Sequence, residues 1–563
     1  MCQKLLVSKG LFRSNLMPVE TKLLKPKIGL CNRYPIKKDY PILLILILLA
    51  TFLRFNGLNK PGLWQDEAVY TIAAQKPISD QIVNPIKTLR EDSLGAADPV
   101  LSAIPFSLAL KLGFSNYLAR FPAALFGILS VAILYRLGRA LLGNLVGLLA
   151  TFLLCTSSFH LLYSQEARSY SQLTFFTIGS FLFLYRAITG HKWIDWLFYT
   201  LFIAAGISSH YDMAFAIVIQ GIFLALFTLQ KLLQQRPKGG AIKTLLKSCG
   251  PFLLSVTIVF LLRLPWLKDF FYWSARTLGG PYQLDLTGSF ISSIQALTSQ
   301  TFLVLLIYLF LCVVGVGLAI SCSFKSGALL ACWLTLSIPV TIIGLWFVSQ
   351  FFHQRHTIWG LPGILVATAG GIITLGHFTS RILTKSKCSS FSKLPSQPIQ
   401  FGVIILLAAP ILLVNLSQMQ QIPGLKQSWP LGRLQEATSY ITAQAQPNET
   451  VIGIPNAQYL QLYIQPVRQD LFYLDIKQHI LPPRFEGRWY VFYGAEDIPP
   501  RWDQLGIEKF QDILVLYRPN PCKIADCLSE ANTLLSEIAH ANPDSPLAEK
   551  IEIIMAGLPQ LLH

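Results

Sequence analysis

Pro41-Ile42-Leu43-Leu44-Ile45-Leu46-Ile47-Leu48-Leu49-Ala50-Thr51-Phe52-Leu53-Arg54-Phe55 is the stretch from which the fold is read. It is apolar almost throughout, and soon after it comes Lys60-Pro61-Gly62-Leu63-Trp64-Gln65-Asp66-Glu67-Ala68-Val69-Tyr70. An acidic pair just past a membrane-type segment lies at or near the bilayer surface, where carboxylates are expensive and are kept for a task. The chain of 563 residues is 53% hydrophobic and 13% charged, against about 25% charged in a soluble domain. It reads as an integral membrane protein. Its net charge of +17 does not point to nucleic acid, because membrane proteins gather Lys and Arg in cytoplasmic loops. The first apolar run begins too deep for a cleavable signal peptide and lacks a small-residue cleavage site, so it reads as a signal anchor.

Runs long enough to cross a bilayer, about 17–25 residues each, fall near 40–55, 117–135, 141–162, 169–188, 195–210, 213–230, 249–266, 300–320, 327–350, 357–377 and 401–418. That is about eleven helices. Pro99–Gly113 is shorter and follows a polar stretch, so it is expected to lie on the surface as a juxtamembrane helix. Charge supports this choice. The basic N-terminal residues 1–39, Arg136 with Arg139, the loop 231–248 and the loop 378–400 then all share one side, as the positive-inside rule requires. The N-terminus is expected in the cytoplasm, residues 40–420 in the membrane domain with a first outer loop at 56–116, and residues 421–563 outside the cell (inner) membrane.

The tail is more polar. Its short apolar runs Val451–Ile454, Leu471–Leu474, Trp489–Tyr493 and Ile513–Tyr517, with helices at 431–445 and 545–557, read as a small extracytoplasmic α/β domain. Cys522 and Cys527 would form a disulfide only in an oxidising compartment. Of the sequons at Asn415 and Asn448, the first falls within an apolar run.

With this topology the polar clusters converge outside: Asp66, Glu67 and Asp98 in loop one, Tyr163 to Tyr170 between the third and fourth spans, His210-Tyr211-Asp212 between the fifth and sixth, and His353 to His356 between the ninth and tenth. A carboxylate can deprotonate an acceptor hydroxyl or amine, and Arg or a metal can neutralise phosphate charge. With a membrane to supply a lipid-linked donor, this fits sugar transfer from a lipid phosphate. Each group also has a plainer role: Asp66-Glu67 as a helix cap, Glu166 and Arg168 as a local ion pair, Arg355 as a head-group contact. His353 and His356, three residues apart, could share a divalent metal with an acid, although no cofactor is demanded.

The motifs resemble the polytopic glycosyltransferases of the GT-C fold, in the bacterial branch related to dolichyl-phosphate-mannose protein mannosyltransferases and to the aminoarabinose transferase of lipid A. Trp64-Gln65-Asp66-Glu67-Ala68 is similar to that branch's W-x-D-E-A motif, and Ala97-Asp98-Pro99-Val100-Leu101 to its H/D-P-P-L segment. Leu118 to Gly127 resembles its next span, and Tyr163-Ser164-Gln165-Glu166-Ala167-Arg168-Ser169-Tyr170 its Y-S-Q-E-A-R-x-Y signature. Arg355 with Leu361-Pro362 resembles its late R-Y-x-x-x-x-x-P motif. The resemblance implies inverting transfer from a polyprenyl-phosphate-linked sugar donor to a glycan, lipid or protein acceptor. Asp66 would be the general base and Glu67 would assist at the acceptor or a metal. Asp98, Tyr163, Gln165, Glu166, Arg168, His210, Tyr211, Asp212, Arg355 and His356 would bind substrate, with Arg168 and Arg355 near the donor phosphate. The chain departs from the pattern at Ala97, at Val100 and at His356, where the family usually has Tyr. A polytopic transporter or lipid flippase is the alternative; it would place ionisable groups near span midpoints or in broken helices of paired halves.

Overall fold

The protein is described by a computed structural model covering residues 39–59, 63, 65–79, 100–234, 240–267, 270–271, 274, 284–349, 352–385, 396–427, 434–454, 460, 471–475, 484–485, 487–493, 498–499, 502, 507–510, 513–520 and 522–541. The chain builds a helical bundle followed by a small sheet. Its helices are α1 Tyr40–Phe55, α2 Gln65–Gln75, α3 Val100–Leu110, α4 Asn116–Leu142, α5 Asn144–Thr156, α6 Ser158–Ser164, α7 Tyr170–Gly190, α8 Trp193–Ser209, α9 Met213–Gln234, α10 Gly240–Arg263, α11 Leu286–Leu297, α12 Phe302–Cys322, α13 Phe324–Val348, α14 Leu361–Lys385 and α15 Ser396–Gln427. A 3-10 turn, Gln354–Gly360, leads into α14.

Every apolar run read from the sequence is helical. Among the described residues eight helices are long and apolar enough to cross a membrane, or nine if the bent pair α5–α6 counts as one. α1 and α8, of 16 and 17 residues, rise only about 24–26 Å at 1.5 Å per residue. α3 has 11 residues, about 16 Å, which is too short to span. α10 and α15 turn large apolar side chains outward, Leu253, Leu254, Phe260 and Leu261 on one and Phe401, Ile405, Leu406 and Leu413 on the other. In lipid such a surface is satisfied; in water it would aggregate.

Small residues set the closest helix contacts. A Cβ on Gly315 of α12 would strike the Ala367 carbonyl of α14, and one on Gly371 would strike the Leu311 carbonyl, the small-residue packing expected where dispersion rather than hydrophobicity joins helices. On the core side Phe181 stacks on buried Trp333 with ring centroids 3.7 Å apart.

The run expected as a single helix at 141–162 is broken. α5 and α6 meet at Ser157 with a bend of 61°, and it is the only such pair among the described residues. A break strands backbone carbonyls in an apolar setting, at a cost of several kcal/mol each if unpaired. Arg54, fully buried on α1, answers it: Nη1 donates to the Cys155 carbonyl at 3.3 Å and Nη2 to the Leu154 carbonyl at 3.3 Å. Nη2 also lies 2.8 Å from His160 Nδ1.

The tail forms α16 Leu434–Gln444, strands β1 Thr450–Ile454, β2 Phe472–Asp475, β3 Arg484–Phe485, β4 Arg488–Tyr493, β5 Ile507–Phe510, β6 Ile513–Arg518 and β7 Cys522–Lys523, then α17 Ile524–Ala541. The main sheet runs β2-β1-β4-β6-β5, with β3 and β7 paired apart from it. β1 is parallel to β2 and β4, while β6 is antiparallel to β4 and β5. The four apolar runs of the tail are β1, β2, β4 and β6. β5 went unread because its pattern, half-buried at the ends and exposed in the middle, is that of an edge strand. The helix expected at 545–557 lies outside the described residues, as do the side chains of Cys522 and Cys527; the disulfide sulfur that is seen belongs to Cys322. Asn415 is buried within α15. One buried apolar cluster includes Leu63, Ala68, Tyr70, Phe106 and Ala119 from loop one and its flanks together with Ala437, Ile441, Val451, Trp489 and Val515 from the tail.

Candidate active site

α2 begins at Gln65, so Gln65-Asp66-Glu67 opens a helix. Asp66 has its backbone in that first turn; its side chain is outside the described ones, and Asp98 is outside the described residues altogether. Glu67 is fully buried against fully buried Arg120 of α4. Arg120 Nε donates to Oε1 at 2.7 Å and Nη2 to Oε2 at 2.6 Å, the two-pronged pairing that a planar guanidinium favours. The Ala167 N–H donates to the same Oε1 at 2.8 Å, and Arg120 Nη1 donates to the Leu58 carbonyl at 3.0 Å. Three separate pieces of chain, α2, α4 and the loop after α6, are thus tied through one carboxylate. Both Glu67 oxygens are engaged, which differs from the expectation that Glu67 meets an acceptor or a metal.

The Tyr163 to Tyr170 segment joins α6 to α7. Gln165 serves as a cap: its Nε2 donates to the carbonyls of Leu53 at 3.0 Å, Arg54 at 3.2 Å and Asn56 at 3.0 Å. These are end-of-helix acceptors of α1 that lack intrahelical donors. Gln165 therefore fixes the segment rather than facing a substrate. Glu166 is buried and acts electrostatically on Tyr163 and Tyr170. The Arg168 guanidinium lies 5.6 Å from the Tyr70 ring centre and 5.8 Å from that of Tyr170.

The remaining groups close around Tyr170. α8 stops at His210, whose extended backbone (φ −157°, ψ 131°) caps it, and the turn carries Asp212 inward. The Tyr170 ring centre is 5.2 Å from Tyr163, 5.0 Å from His210 and 6.3 Å from His356. The Arg355 guanidinium lies 5.5 Å from the same ring. Buried Asp212 receives a 2.8 Å hydrogen bond from His356 Nδ1, and its own N–H donates to His210 Nδ1 at 3.2 Å. Burial pushes the Asp212 carboxyl upward, but the charges of His210 and His356, the hydrogen bond from His356 and the charge of Arg355 outweigh it, so the group is held below the usual carboxylate range. An ionised Asp212 only accepts, so His356 Nδ1 carries the proton. Tyr211 turns to Phe270, 5.2 Å away.

The pairing of His353 with His356 does not form. His353 is exposed and caps the 3-10 turn, its Nδ1 accepting from the Arg355 N–H at 3.3 Å. His356 instead joins His210 and Asp212, whose ligand atoms and its own all lie within 4.8 Å of one another. Sequence reasoning gave no separate role to Tyr170, around which the two guanidiniums gather, or to Arg120 and Arg54. A charged residue inside an apolar segment was the available signal for both arginines.

So Tyr163, Glu166, Arg168, His210, Asp212, Arg355 and His356 form one cluster, while Glu67 and Gln165 hold its supporting segments. Two guanidiniums beside one aromatic ring, with two imidazoles near, supply the kind of donors from which a compact anion such as a phosphate can accept.

A sequence model of the family described as dolichyl-phosphate-mannose-protein mannosyltransferase matches residues 98–267. No curated protein sequence matches the chain. Among solved structures the chain superposes on ArnT from Cupriavidus metallidurans in the apo state, at 12% identity over 85% of this chain and 98% of that one, with a TM-score of 0.54. Bound to undecaprenyl phosphate, ArnT gives a TM-score of 0.52 at 12% identity, over 86% and 98%. The oligosaccharyltransferase AglB from Archaeoglobus fulgidus, in complex with an inhibitory peptide and a dolichol-phosphate, aligns at 12% identity over 77% of this chain and 64% of that one, with a TM-score of 0.47.

Proposed function

We propose that this chain, a multi-pass membrane protein with the GT-C glycosyltransferase fold, transfers a sugar from a polyprenyl-phosphate donor to an acceptor outside the cytoplasm. The observation that carries the reading is the convergence of Arg168 and Arg355 on Tyr170, 5.8 and 5.5 Å from its ring, in a chain whose fold is shared with ArnT, which binds undecaprenyl phosphate. Asp66 is the general base. The acceptor oxygen attacks the anomeric carbon with inversion, its proton passes to the Asp66 carboxylate, and the bond from that carbon to the phosphate oxygen breaks. Polyprenyl phosphate leaves as an anion, and Arg168 and Arg355 stabilise the charge that develops on it. Glu67 positions the helix that carries Asp66, since the two are adjacent at its start. The basic segments are cytoplasmic and the cluster and tail are extracytoplasmic. The reading is preferred to transport because the described ionisable cluster sits at segment ends, and the one broken helix has no counterpart among the described residues.

The test uses membranes containing the chain and a panel of radiolabelled polyprenyl-phosphate sugars, with Asp66→Asn as control. Transfer by the native chain and loss of it in the variant are expected, with the labelled product naming the acceptor. Undiminished transfer by Asp66→Asn would remove the proposed base.

A further inference from the structure

We infer that His210, Asp212 and His356 form a binding site for a divalent transition-metal ion of the zinc class. The three donors come from two distant segments, the turn between α8 and α9 and the 3-10 turn before α14, and their ligand atoms all lie within 4.8 Å of one another. A tetrahedral ion with bonds of about 2.0–2.2 Å needs donors about 3.3–3.5 Å apart. Asp212 Oδ2 already stands 2.8 Å from His356 Nδ1 and 3.5 Å from His210 Nδ1, separations that bracket the requirement. Side-chain shifts of about an ångström suffice to close the site, because no two of the three donor atoms are more than 4.8 Å apart.

The donor set selects the ion. Two imidazoles and one carboxylate suit zinc, cobalt and similar ions rather than magnesium or calcium, which prefer oxygen throughout. Three protein ligands leave the fourth position open, the arrangement of sites that take up a further ligand. Loading through these atoms exchanges two hydrogen bonds, His356 Nδ1 to Asp212 and the Asp212 N–H to His210 Nδ1, for metal bonds, and the Nδ1 proton of His356 must leave that atom. Arg355, whose charge reaches Asp212, opposes a bare cation. A phosphate occupying the fourth position and facing the guanidiniums cancels that repulsion, so inorganic phosphate tightens metal binding. This last point alone rests on the transferase reading.

The experiment uses the full chain, purified in detergent through a tag without histidines, stripped with a chelator and titrated with cobalt. The visible bands of four-coordinate cobalt, saturating at a single ion per chain and displaced by zinc, are the expected result. Asp212→Asn and His356→Gln abolish the bands, while His353→Ala and Asp66→Asn keep them; if either loss variant fails to fold, His210→Gln replaces it. Absence of the bands at saturating cobalt overturns the site, and so does their persistence in a folded Asp212→Asn or His356→Gln. Because the readout is spectroscopic, cobalt binding without sugar transfer would leave the site standing and count against the transferase reading. Transfer without cobalt binding would do the reverse.

Discussion

Substituting the partners of the Glu67–Arg120 pair separates support from chemistry in loop one. The pair is fully buried, and Glu67 accepts from Arg120 twice and from the Ala167 N–H once. Arg120→Met leaves a buried carboxylate with its charge uncompensated, and Glu67→Gln leaves a buried guanidinium in the same state. Breaking one side of such a pair costs about 3–5 kcal/mol, whereas replacing both sides with groups of similar shape is often neutral. At roughly 2 °C per kcal/mol for a large protein, each single variant should lower Tm by about 6–10 °C. Glu67→Gln combined with Arg120→Met should recover most of that loss. The assay is thermal unfolding in detergent followed by tryptophan fluorescence, with sugar transfer measured on the same preparations. Both single variants should lose transfer because α2 and the Ala167 segment are no longer tied. A Glu67→Gln protein of native Tm with transfer abolished would refute the reasoning and put Glu67 into the chemistry.

Two further outcomes are expected. On the proposed function Arg168→Ala or Arg355→Ala removes a charge-assisted contact to the donor phosphate, about 1.5–3 kcal/mol, and should lower kcat/KM for the polyprenyl-phosphate sugar roughly 10- to 150-fold with Tm little changed; an unchanged kcat/KM would show that the phosphate sits elsewhere. In the tail, burial and the hydrogen bond to Glu449 push the Tyr517 hydroxyl up to about 12, above its unfolded value near 10. A raised folded value means that its stabilisation is complete below about pH 10 and is lost as pH rises toward 12. The difference in stability between the native chain and Tyr517→Phe, followed by circular dichroism from pH 8 to 12, should shrink over that interval; a constant difference would deny the linkage.

The membrane architecture was legible because spanning helices announce themselves by apolar length, and every run found that way is helical. The bend at Ser157 was not, since it depends on Arg54 reaching carbonyls about 100 residues away in sequence, and nothing local at 154–157 breaks a helix as proline would. The central strands β1, β4 and β6 could be read because their apolar residues are buried, whereas β5 is an edge with little to bury. At the site, the clusters at 163–170, 210–212 and 353–356 were legible as polar interruptions of apolar runs. Which members face inward was not. Gln165 and Glu67 look as much like substrate contacts as Arg168 does, and only their partners, the ends of α1 and Arg120, give them supporting roles. His353 and His356 have the spacing of a ligand pair, yet the 3-10 turn uses His353 as its cap and sends His356 to a residue 144 positions earlier.

The apolar cluster that contains both Leu63 and Val515 has a consequence for biosynthesis. These residues are 515 − 63 = 452 positions apart. At a synthesis rate of about 5–20 residues per second, loop one emerges roughly 20–90 s before the strands that share its core. Through that interval Leu63, Ala68 and Tyr70 are without their later neighbours, and the helix bearing Asp66 rests on the Glu67–Arg120 tie, the Ala167 N–H and its packing against Phe106. A nascent chain would therefore complete its membrane bundle first and acquire a finished loop one only when its last strands arrive, so truncations that spare every span but remove β6 would insert normally and still lack the activity proposed for that loop.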